Sequence, residues 1–254
     1  MKLIRFQAAD GKEKYGIVEN ENNIYIVKGA PFGKIKPTIE KYDIRMVKIL
    51  TPCIPTKIIG IGLNYKEHVE ELNQSIPDEP IIFLKPVSGL IAHLESIIYP
   101  PKVNRVDYEA ELAIIIKNEI KNITSDQAKD NILGYTCLND VTARELQQKD
   151  IQWTRAKSFD TFCPVGPHIL IDDTIDANNL KIELFLNGEI KQSSNTNNLI
   201  FSLEKIVSYV SGIMTLYPGD IITTGTPKGI GPMKKGDIVE VKIENIGTLK
   251  NYIG

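Results

Sequence analysis

Residues 107–116 read Asp107-Tyr108-Glu109-Ala110-Glu111-Leu112-Ala113-Ile114-Ile115-Ile116, an acidic beginning that turns into an unbroken apolar run. Such a run, rich in β-branched residues, predicts a fully buried β-strand over 108–116. Shorter strands are predicted elsewhere along the chain, at 2–6, 15–18, 24–27, 57–61, 81–84, 169–171 and 182–186. Many short strands and few helices favour an α+β, β-dominated fold over a regular βαβ alternation.

The chain is predicted to have two parts. Residues 1–52 form a small N-terminal β domain, and the proline-rich segment Thr51-Pro52-Cys53-Ile54-Pro55 links it to a larger domain over 53–254. In the larger domain, Asn64 is a candidate N-cap for a helix that extends to Leu72. Ser202 is a candidate N-cap for a second helix, whose apolar residues follow a helical period.

Composition excludes several classes of protein. Lys and Arg total 30 against 32 Asp and Glu, a formal net charge of −2, which argues against a nucleic-acid partner. No apolar run approaches the ~18 residues that span a bilayer, and no secretory signal is evident. The three cysteines, Cys53, Cys137 and Cys163, suggest neither a disulfide framework nor a zinc site. We therefore expect a cytoplasmic protein without a nucleic-acid or membrane partner.

Three acidic residues are candidate metal ligands. Glu109 and Glu111 are two positions apart in a predicted strand, so their carboxylates share one face. They either face water at a solvated strand end or share a divalent cation that relieves their repulsion. Asp140, in Asn139-Asp140-Val141-Thr142, is either a helix N-cap or a third ligand. Ligation by oxygen alone would indicate Mg²⁺, Mn²⁺ or Ca²⁺ rather than zinc.

Three further residues could carry proton transfer or bind charge. His68 and Glu71 are three positions apart on a predicted helix, and a carboxylate beside an imidazole suits a general base. The alternative is a surface helix of mixed charge. Lys157 lies among aromatic and small residues, where it could hold an oxyanion, although most lysines are solvated. His93 and His168 lack comparable neighbours and are interpreted as structural histidines.

Two glycine-rich segments are candidate phosphate-binding loops. Gly60-Ile61-Gly62-Leu63-Asn64-Tyr65 follows a predicted strand, but Tyr65 stands where a dinucleotide fingerprint needs its third glycine, so that reading is rejected. Residues 223–231, Thr-Thr-Gly-Thr-Pro-Lys-Gly-Ile-Gly, lack the Gly-Lys-Ser/Thr ending of a Walker loop. Their backbone N–H groups could still bind a small anion.

Taken together, six blocks of sequence resemble the fumarylacetoacetate hydrolase family, in the same order and at similar spacing, from Ile58 to about Ile253. They are Gly62-Leu63-Asn64-Tyr65-x-x-His68-x-x-Glu71, Phe83-Leu84-Lys85-Pro86, Asp107-Tyr108-Glu109-Ala110-Glu111, Asn139-Asp140-Val141-Thr142-Ala143-Arg144, Ala156-Lys157-Ser158-Phe159-Asp160 and Thr224-Gly225-Thr226-Pro227. Residues 1–52 resemble the small N-terminal domain of many prokaryotic members.

This resemblance implies a mixed β-roll with few helices that works as a homodimer. It implies a Mg²⁺ or Mn²⁺ site whose ligands are Glu109, Glu111 and Asp140. It also implies that His68 and Glu71 form a catalytic dyad on a segment able to close over the site.

The resemblance further implies roles for residues that bind the substrate. Lys157 would contact the bound oxyanion. Arg144, Gln147, Gly225 and Thr226 match positions that hold the carboxylate and other oxygens of the substrate.

The expected reaction is metal-dependent hydrolysis of the carbon–carbon bond of an acylpyruvate, a small keto acid, through an enolate. The same enolate would also serve isomerisation of a 2-hydroxyhepta-2,4-diene-1,7-dioate or decarboxylation of oxaloacetate. A non-catalytic oligomer that binds a metabolite is the alternative from another class, and the presence of both His68 and Glu71 argues against it.

Overall fold

The computed structural model describes residues 1–20, 22–29, 31–33 and 35–254; Glu21, Ala30 and Lys34 of the predicted N-terminal domain lie outside the described residues. The strands, in chain order, are β1 (Lys2–Gln7), β2 (Glu13–Glu19), β3 (Asn23–Lys28), β4 (Lys36–Asp43), β5 (Lys48–Ile49), β6 (Ile58–Gly62), β7 (Ile81–Lys85), β8 (Leu90–Ile91), β9 (Ser96–Ile97), β10 (Val106–Tyr108), β11 (Ala110–Ile116), β12 (Ile132–Asn139), β13 (Thr142–Ala143), β14 (Cys163–Leu170), β15 (Lys181–Leu186), β16 (Glu189–Asn195), β17 (Ile221–Thr223), β18 (Gly231–Met233), β19 (Ile238–Ile243) and β20 (Gly247–Ile253). The α-helices are α1 (Lys66–Glu71), α2 (Ser125–Ala128), α3 (Arg144–Lys149), α4 (Thr154–Lys157) and α5 (Leu203–Ile213), and short 3₁₀ helices cover Ile44–Met46, Val87–Gly89, Lys129–Asn131 and Thr196–Asn198.

Most strands belong to one mixed sheet of 12 strands, in the order β4-β3-β2-β1-β14-β12-β11-β17-β6-β7, with β5 beside β1 and β8 beside β14. A five-stranded sheet has the order β16-β15-β19-β20-β9, and β13-β10-β18 form a third. Buried side chains of the large and the five-stranded sheets share one hydrophobic core. The predicted β-dominated fold class is confirmed.

Strand β11, which contains most of the buried strand predicted over 108–116, lies inside the large sheet between β12 and β17. All seven residues of β11 are buried, because β12 and β17 pair with its two edges and other layers cover its faces. Such double coverage explains the unbroken apolar run. The prediction of one strand over 108–116 was wrong in one detail, since Glu109 separates β10 from β11.

Strand directions bring distant segments to one edge of the sheet. Strand β11 is antiparallel to both β12 and β17, so its beginning lies beside their ends. Strand β6 runs parallel to β17, so it ends at the same edge. The residues that follow β6, β12 and β17 therefore meet the residues that begin β11.

The predicted N-terminal domain continues this sheet. Leu3 of β1 pairs with Ile169 of β14, so the two parts of the chain share backbone hydrogen bonds. The division of the chain after residue 52 stays a prediction.

The two helix N-caps have different outcomes. The Ser202 hydroxyl accepts a hydrogen bond from the Lys205 amide at the start of α5, which confirms that prediction. The prediction of an N-cap at Asn64 was wrong, because Tyr65 takes the cap position of α1 and makes no side-chain cap hydrogen bond. The side-chain amide of Asn64 instead donates to the carbonyl oxygen of Thr224, at 2.8 Å.

A buried aspartate fixes the segment that leads into β6. The Asp220 side chain is fully buried and accepts hydrogen bonds from Thr56, Lys57 and Tyr217, including the Lys57 ammonium at 2.5 Å. Asp237 follows the similar turn Lys235-Gly236 but is half-buried, and it accepts hydrogen bonds from Lys234 and Asn187.

We expect Asp220→Asn to lower the free energy of unfolding by about 3 kcal/mol, because an amide N–H₂ would face donors that need an acceptor. Asp237→Asn is the matched control, with an expected loss below about 1 kcal/mol. Urea denaturation followed by circular dichroism measures both. Equal losses in the two variants would contradict the role of Asp220.

The two histidines interpreted as structural are hydrogen-bonded to backbone. The His168 Nε2 lies 2.6 Å from the carbonyl oxygen of Ile246, and the Nδ1 of His93 accepts from the amide of Lys250 at 3.1 Å. Burial, with a smaller effect of the nearby Lys2 charge, lowers the pKa of His168 to about 4.

His168 is expected to make stability fall in acid. The unfolded chain takes up a proton near pH 6.5, whereas the folded chain resists it until about pH 4. Its contribution is therefore complete above pH 6.5, is lost as the pH falls to 4, and amounts to about 3 kcal/mol. Urea midpoints between pH 7.5 and 4 should fall more steeply for the native protein than for His168→Gln. Parallel curves would rule out this contribution.

Candidate active site

Three carboxylates converge where β11 begins and β12 ends. Glu109, Glu111 and Asp140 each offer an oxygen within 4.8 Å of the others, and all three side chains are buried. Pairing of Ala110 with Asn139 produces this convergence, because Asp140 directly follows β12. Glu109 and Glu111 therefore do not form a solvated strand end. Asp140 is not a helix N-cap either, since α3 begins at Arg144.

Two lysines bind these carboxylates. The Lys157 ammonium lies 2.5 Å from Asp140 and 2.8 Å from Glu109. Lys85 donates to the other oxygen of Asp140, at 2.5 Å. Burial alone would lower the pKa of Lys157, but the charges of Asp140 and Glu109 outweigh it, so the pKa lies above its usual value. Both lysines thus bind buried carboxylates, and the solvated alternative for Lys157 is excluded.

Glu111 has the least compensated charge of the three. Its carboxylate accepts hydrogen bonds from the hydroxyl of Thr223 and, at 2.7 Å, from the amide of Gly225, both neutral donors. Burial raises the pKa of Glu111 well above its usual value, and repulsion by Asp140 and Glu109 adds to the shift. For Glu109, burial is outweighed by Lys157 and Arg144, and the pKa falls below its usual value.

The donor set fits a hard divalent cation. All three candidate ligands are carboxylates, which suit Mg²⁺ or Mn²⁺. Lys85, Lys157 and Arg144 pair with Asp140 and Glu109, whereas Glu111 has no cationic partner among the described residues. A cation at this place would relieve the repulsion that raises the pKa of Glu111.

The predicted pair on α1 is formed. The Nδ1 of His68 lies 2.9 Å from one oxygen of Glu71, and the other oxygen accepts from the amide of Gly229 at 2.9 Å. His68 is buried, whereas Glu71 is partly exposed. Glu71 therefore orients the imidazole and attaches α1 to the loop after β17. Two amides of that loop, those of Gly225 and Gly229, bind carboxylates of the chain itself rather than a free anion.

Arg144 and Gln147 lie next to the acidic group. Arg144 contacts the Gln147 side chain and Glu109, and it donates to the buried Asp107 at 2.8 Å. Burial by itself would lower the pKa of Arg144, but the negative charges of Glu109 and Asp107 outweigh burial, so the pKa lies above its usual value. Asp107 also binds Arg105, at 2.8 Å. Asp107 therefore connects the two arginines and fixes the position of the Arg144 guanidinium.

Thr226 lies at the same edge of the sheet. Its hydroxyl accepts from the Gln192 amide at 2.9 Å. The side-chain oxygen of Gln192 accepts a hydrogen bond from the backbone N–H of Ala110, at 2.9 Å. Gln192 therefore connects Thr226 to the start of β11.

Sequence reasoning missed Lys85, Asp107 and Gln192. Lys85 stands at the end of an apolar strand, where a buried lysine requires a charged partner, so its position carried a usable signal. Asp107 precedes the first glutamate of the acidic pair. Gln192 lies on β16, far along the chain, and has no local signal.

One cavity of about 460 Å³ joins these groups. His68 and the three carboxylates line it together with Arg144, Gln147, Lys157 and Thr226. The structure thus brings together nearly all the predicted site residues, and Gly225 contacts the site through its amide. Their roles toward a substrate stay predictions.

Comparison with known proteins fits this geometry. Residues 57–254 match the family described as fumarylacetoacetate (FAA) hydrolase C-terminal, and residues 1–52 match the family described as Rv2993c-like, N-terminal. The chain belongs to the fumarylacetoacetate hydrolase family. None of the helices in the described part of the chain is long and apolar enough to cross a membrane.

Members of the fumarylacetoacetate hydrolase family are enzymes of several kinds. The mitochondrial oxaloacetate tautomerase of Rattus norvegicus is 44% identical over 217 residues, 82% of this chain and 69% of the rat protein. The 2-hydroxyhepta-2,4-diene-1,7-dioate isomerase from Mycobacterium marinum, known from a crystal structure, is 39% identical in sequence and superposes with a TM-score of 0.92. The match covers 100% of this chain and 98% of the isomerase chain. Maleylpyruvate hydrolase from Sphingobium sp. SYK-6, solved in complex with manganese(II) ion and pyruvate, is 29% identical in sequence with a TM-score of 0.82. That match covers 100% of this chain and 98% of the hydrolase chain.

Proposed function

We propose that this protein is a Mg²⁺- or Mn²⁺-dependent hydrolase that cleaves the carbon–carbon bond of acylpyruvates. The observation that carries the proposal is that His68, which is hydrogen-bonded to Glu71, lines the same cavity as Glu109, Glu111 and Asp140. A candidate general base thus shares a buried space with a candidate cation site. The manganese and pyruvate in the Sphingobium hydrolase support this assignment.

The cation would be held by Glu109, Glu111 and Asp140, and when bound it supplies Lewis-acid polarisation and compensates negative charge on the substrate. Arg144, with Gln147, would bind the substrate carboxylate through its guanidinium. Lys157 would lie near the neighbouring keto oxygen, where negative charge develops.

His68 would act as the general base. Glu71 fixes Nδ1 as the hydrogen-bonded nitrogen, which leaves Nε2 to take a proton from water. The resulting hydroxide adds to the distal carbonyl carbon, the carbon–carbon bond breaks, and its electron pair leaves as the enolate of pyruvate. The acyl group departs as a carboxylic acid, and protonation of the enolate carbon gives pyruvate. No covalent bond to the protein is formed.

A tautomerase is the second candidate, because the rat relative carries that name at 44% identity. The same residues would then move a proton between carbon and oxygen of a keto acid without breaking a carbon–carbon bond. Isomerisation of a 2-hydroxyhepta-2,4-diene-1,7-dioate and decarboxylation of oxaloacetate also remain within reach of this site.

A substrate panel separates these activities. Protein stripped of metal with EDTA is reloaded with Mg²⁺ or Mn²⁺ and mixed with acylpyruvates, oxaloacetate or the diene dioate. The proposal expects metal-dependent release of pyruvate and a carboxylic acid from an acylpyruvate. Faster enol–keto interconversion of oxaloacetate, with no pyruvate from any acylpyruvate, would establish the tautomerase instead. Turnover that persists in EDTA would contradict both.

The proposal includes a homodimer in the cytoplasm that acts on a small keto acid, without a nucleic-acid or membrane partner. Light scattering on the purified protein tests the assembly, with an expected mass of twice the 28.4 kDa chain.

A further inference from the structure

The segment Gly60-Ile61-Gly62, rejected above as a dinucleotide fingerprint, has another role in the structure. A Cβ on Gly60 would come within 2.1 Å of the Phe83 ring, and a Cβ on Gly62 within 2.4 Å of the Trp153 ring. Each glycine therefore makes room for one aromatic ring against the backbone of β6. The two rings contact each other edge to face, with centroids 5.5 Å apart.

These two rings, here called the aromatic wall, line the same cavity as the acidic group. The ammonium of Lys157 lies 5.1 Å from the centroid of the Phe83 ring. The backbone carbonyl of Trp153 accepts a hydrogen bond from the Lys157 amide, at 3.0 Å. Both residues of the wall therefore lie next to Lys157.

Apart from the three carboxylates, Lys157, Arg144 and His68, the described residues that line the cavity carry no charge. Leu72, Gln74 and Gln148 are among these uncharged residues. Among the described residues that line the cavity, the cations are Lys157 and Arg144, and both bind Glu109. The His68 ring is paired with Glu71. A carboxylate at the far end of a substrate would lose hydration there without gaining a counter-ion.

We propose that the aromatic wall of Phe83 and Trp153 is the subsite for the distal acyl group of the substrate, and that this subsite accepts an uncharged apolar or planar group rather than a second carboxylate. This inference rests on the proposed function, which places the keto-acid end at Glu109, Glu111 and Asp140. It assigns the natural substrate to acylpyruvates with a neutral tail.

Non-cleavable analogues test the subsite by binding alone. Oxamate carries the carboxylate and adjacent carbonyl of a keto acid; N-butyl oxamate adds a neutral tail, and N-(3-carboxypropyl) oxamate a tail with a terminal carboxylate. Trp153 is the single tryptophan of the chain, so its fluorescence reports contact with the wall. With saturating Mg²⁺, we expect the butyl compound to bind about 30-fold more tightly than the carboxypropyl compound and to change the Trp153 emission.

The outcomes separate this inference from the proposed function. If oxamate fails to bind the Mg²⁺-loaded protein, the proposed function is contradicted and the inference falls with it. If oxamate binds but the two substituted compounds bind equally, or the carboxypropyl compound binds better, only the subsite is overturned.

Variants of the aromatic wall supply the second test. Binding is measured by calorimetry here, because a Trp153 variant has no tryptophan fluorescence. We expect Trp153→Ala to weaken N-butyl oxamate about 10-fold, and more than it weakens oxamate, because the aromatic contact with the tail is lost. Trp153→Phe should recover most of this loss. The fully exposed Ile151, two residues away, provides the control Ile151→Ala. Equal weakening of oxamate and its butyl derivative would point to a structural role for Trp153 and overturn the subsite.

Discussion

The variant His68→Gln is expected to lower kcat for an acylpyruvate by about 100- to 10,000-fold, the usual contribution of a general base. Glutamine is close to histidine in size, so the buried position of His68 at 5% exposure stays filled. It has no group that can accept a proton at neutral pH. KM should change little, since the proposed contacts to the substrate carboxylate come from Arg144 and Gln147. Steady-state kinetics with saturating Mg²⁺ measures both constants.

The control for this prediction is His93→Gln. His93 is also partly buried, but it is hydrogen-bonded to the backbone of Lys250 in another part of the fold, so its kcat should stay within about twofold of the native value. A His68→Gln enzyme with native kcat would remove His68 from the reaction. A large loss in His93→Gln would show that the two histidines cannot be separated in this way.

Glu71 gives a graded version of the same test. Its carboxylate both pairs with His68 and accepts from the Gly229 amide. Glu71→Gln keeps an acceptor for Gly229 but removes the negative charge beside the imidazole. A loss of kcat smaller than that of His68→Gln would identify Glu71 as the residue that positions and polarises the base.

The acidic cluster could be predicted because its signal is local. Glu109 and Glu111 stand before the apolar run Leu112–Ile116, which completes the fully buried strand β11, and charges at the entrance of such a strand stand out. That Asp140 joins them depends on the antiparallel pairing of β11 with β12. The residues alone left Asp140 as either a helix N-cap or a third ligand, and the family resemblance favoured the ligand.

Other features depend on contacts that no spacing rule encodes. Asn64 is a good cap residue, yet its amide binds the Thr224 carbonyl oxygen, because β6 and β17 end side by side. Gly60 and Gly62 resemble part of a dinucleotide fingerprint, which the sequence already excludes, and their lack of a Cβ accommodates the rings of Phe83 and Trp153. In each case the local preference of a residue was overridden by a neighbour distant in sequence.

The continuity of the large sheet was equally hidden from the sequence. Three strands of the N-terminal segment were predicted, at the positions of β1, β2 and β3, but β4 and β5 were not. The partner of β1 is β14, more than 150 residues further along the chain. Alternation of polar and apolar residues identifies a strand and its buried face, not the strand with which it pairs.

The variant Glu111→Gln is expected to stabilise the metal-free protein and to abolish its response to Mg²⁺. Burial and two neighbouring carboxylates raise the pKa of Glu111, so its ionisation at neutral pH costs folding free energy. A neutral amide removes that cost, and its oxygen can still accept from Thr223 and Gly225. We expect an increase in Tm of about 2–6 °C in EDTA, corresponding to about 1–2 kcal/mol. In Mg²⁺, where the native protein gains stability by binding the ion, the variant should gain little.

Glu109→Gln is the matched comparison, with the opposite sign in EDTA. The native carboxylate of Glu109 binds the cations of Lys157 and Arg144, so its loss removes one of the two carboxylate partners of each buried cation and should lower Tm. Both variants should lose the Mg²⁺ response, because each removes one carboxylate of the same group. Scanning calorimetry at pH 7.5, with EDTA and with Mg²⁺ or Mn²⁺, distinguishes the two effects. If Glu111→Gln lowered Tm in EDTA, or kept the native Mg²⁺ response, then Glu111 would not be the uncompensated carboxylate that makes this buried group a cation site.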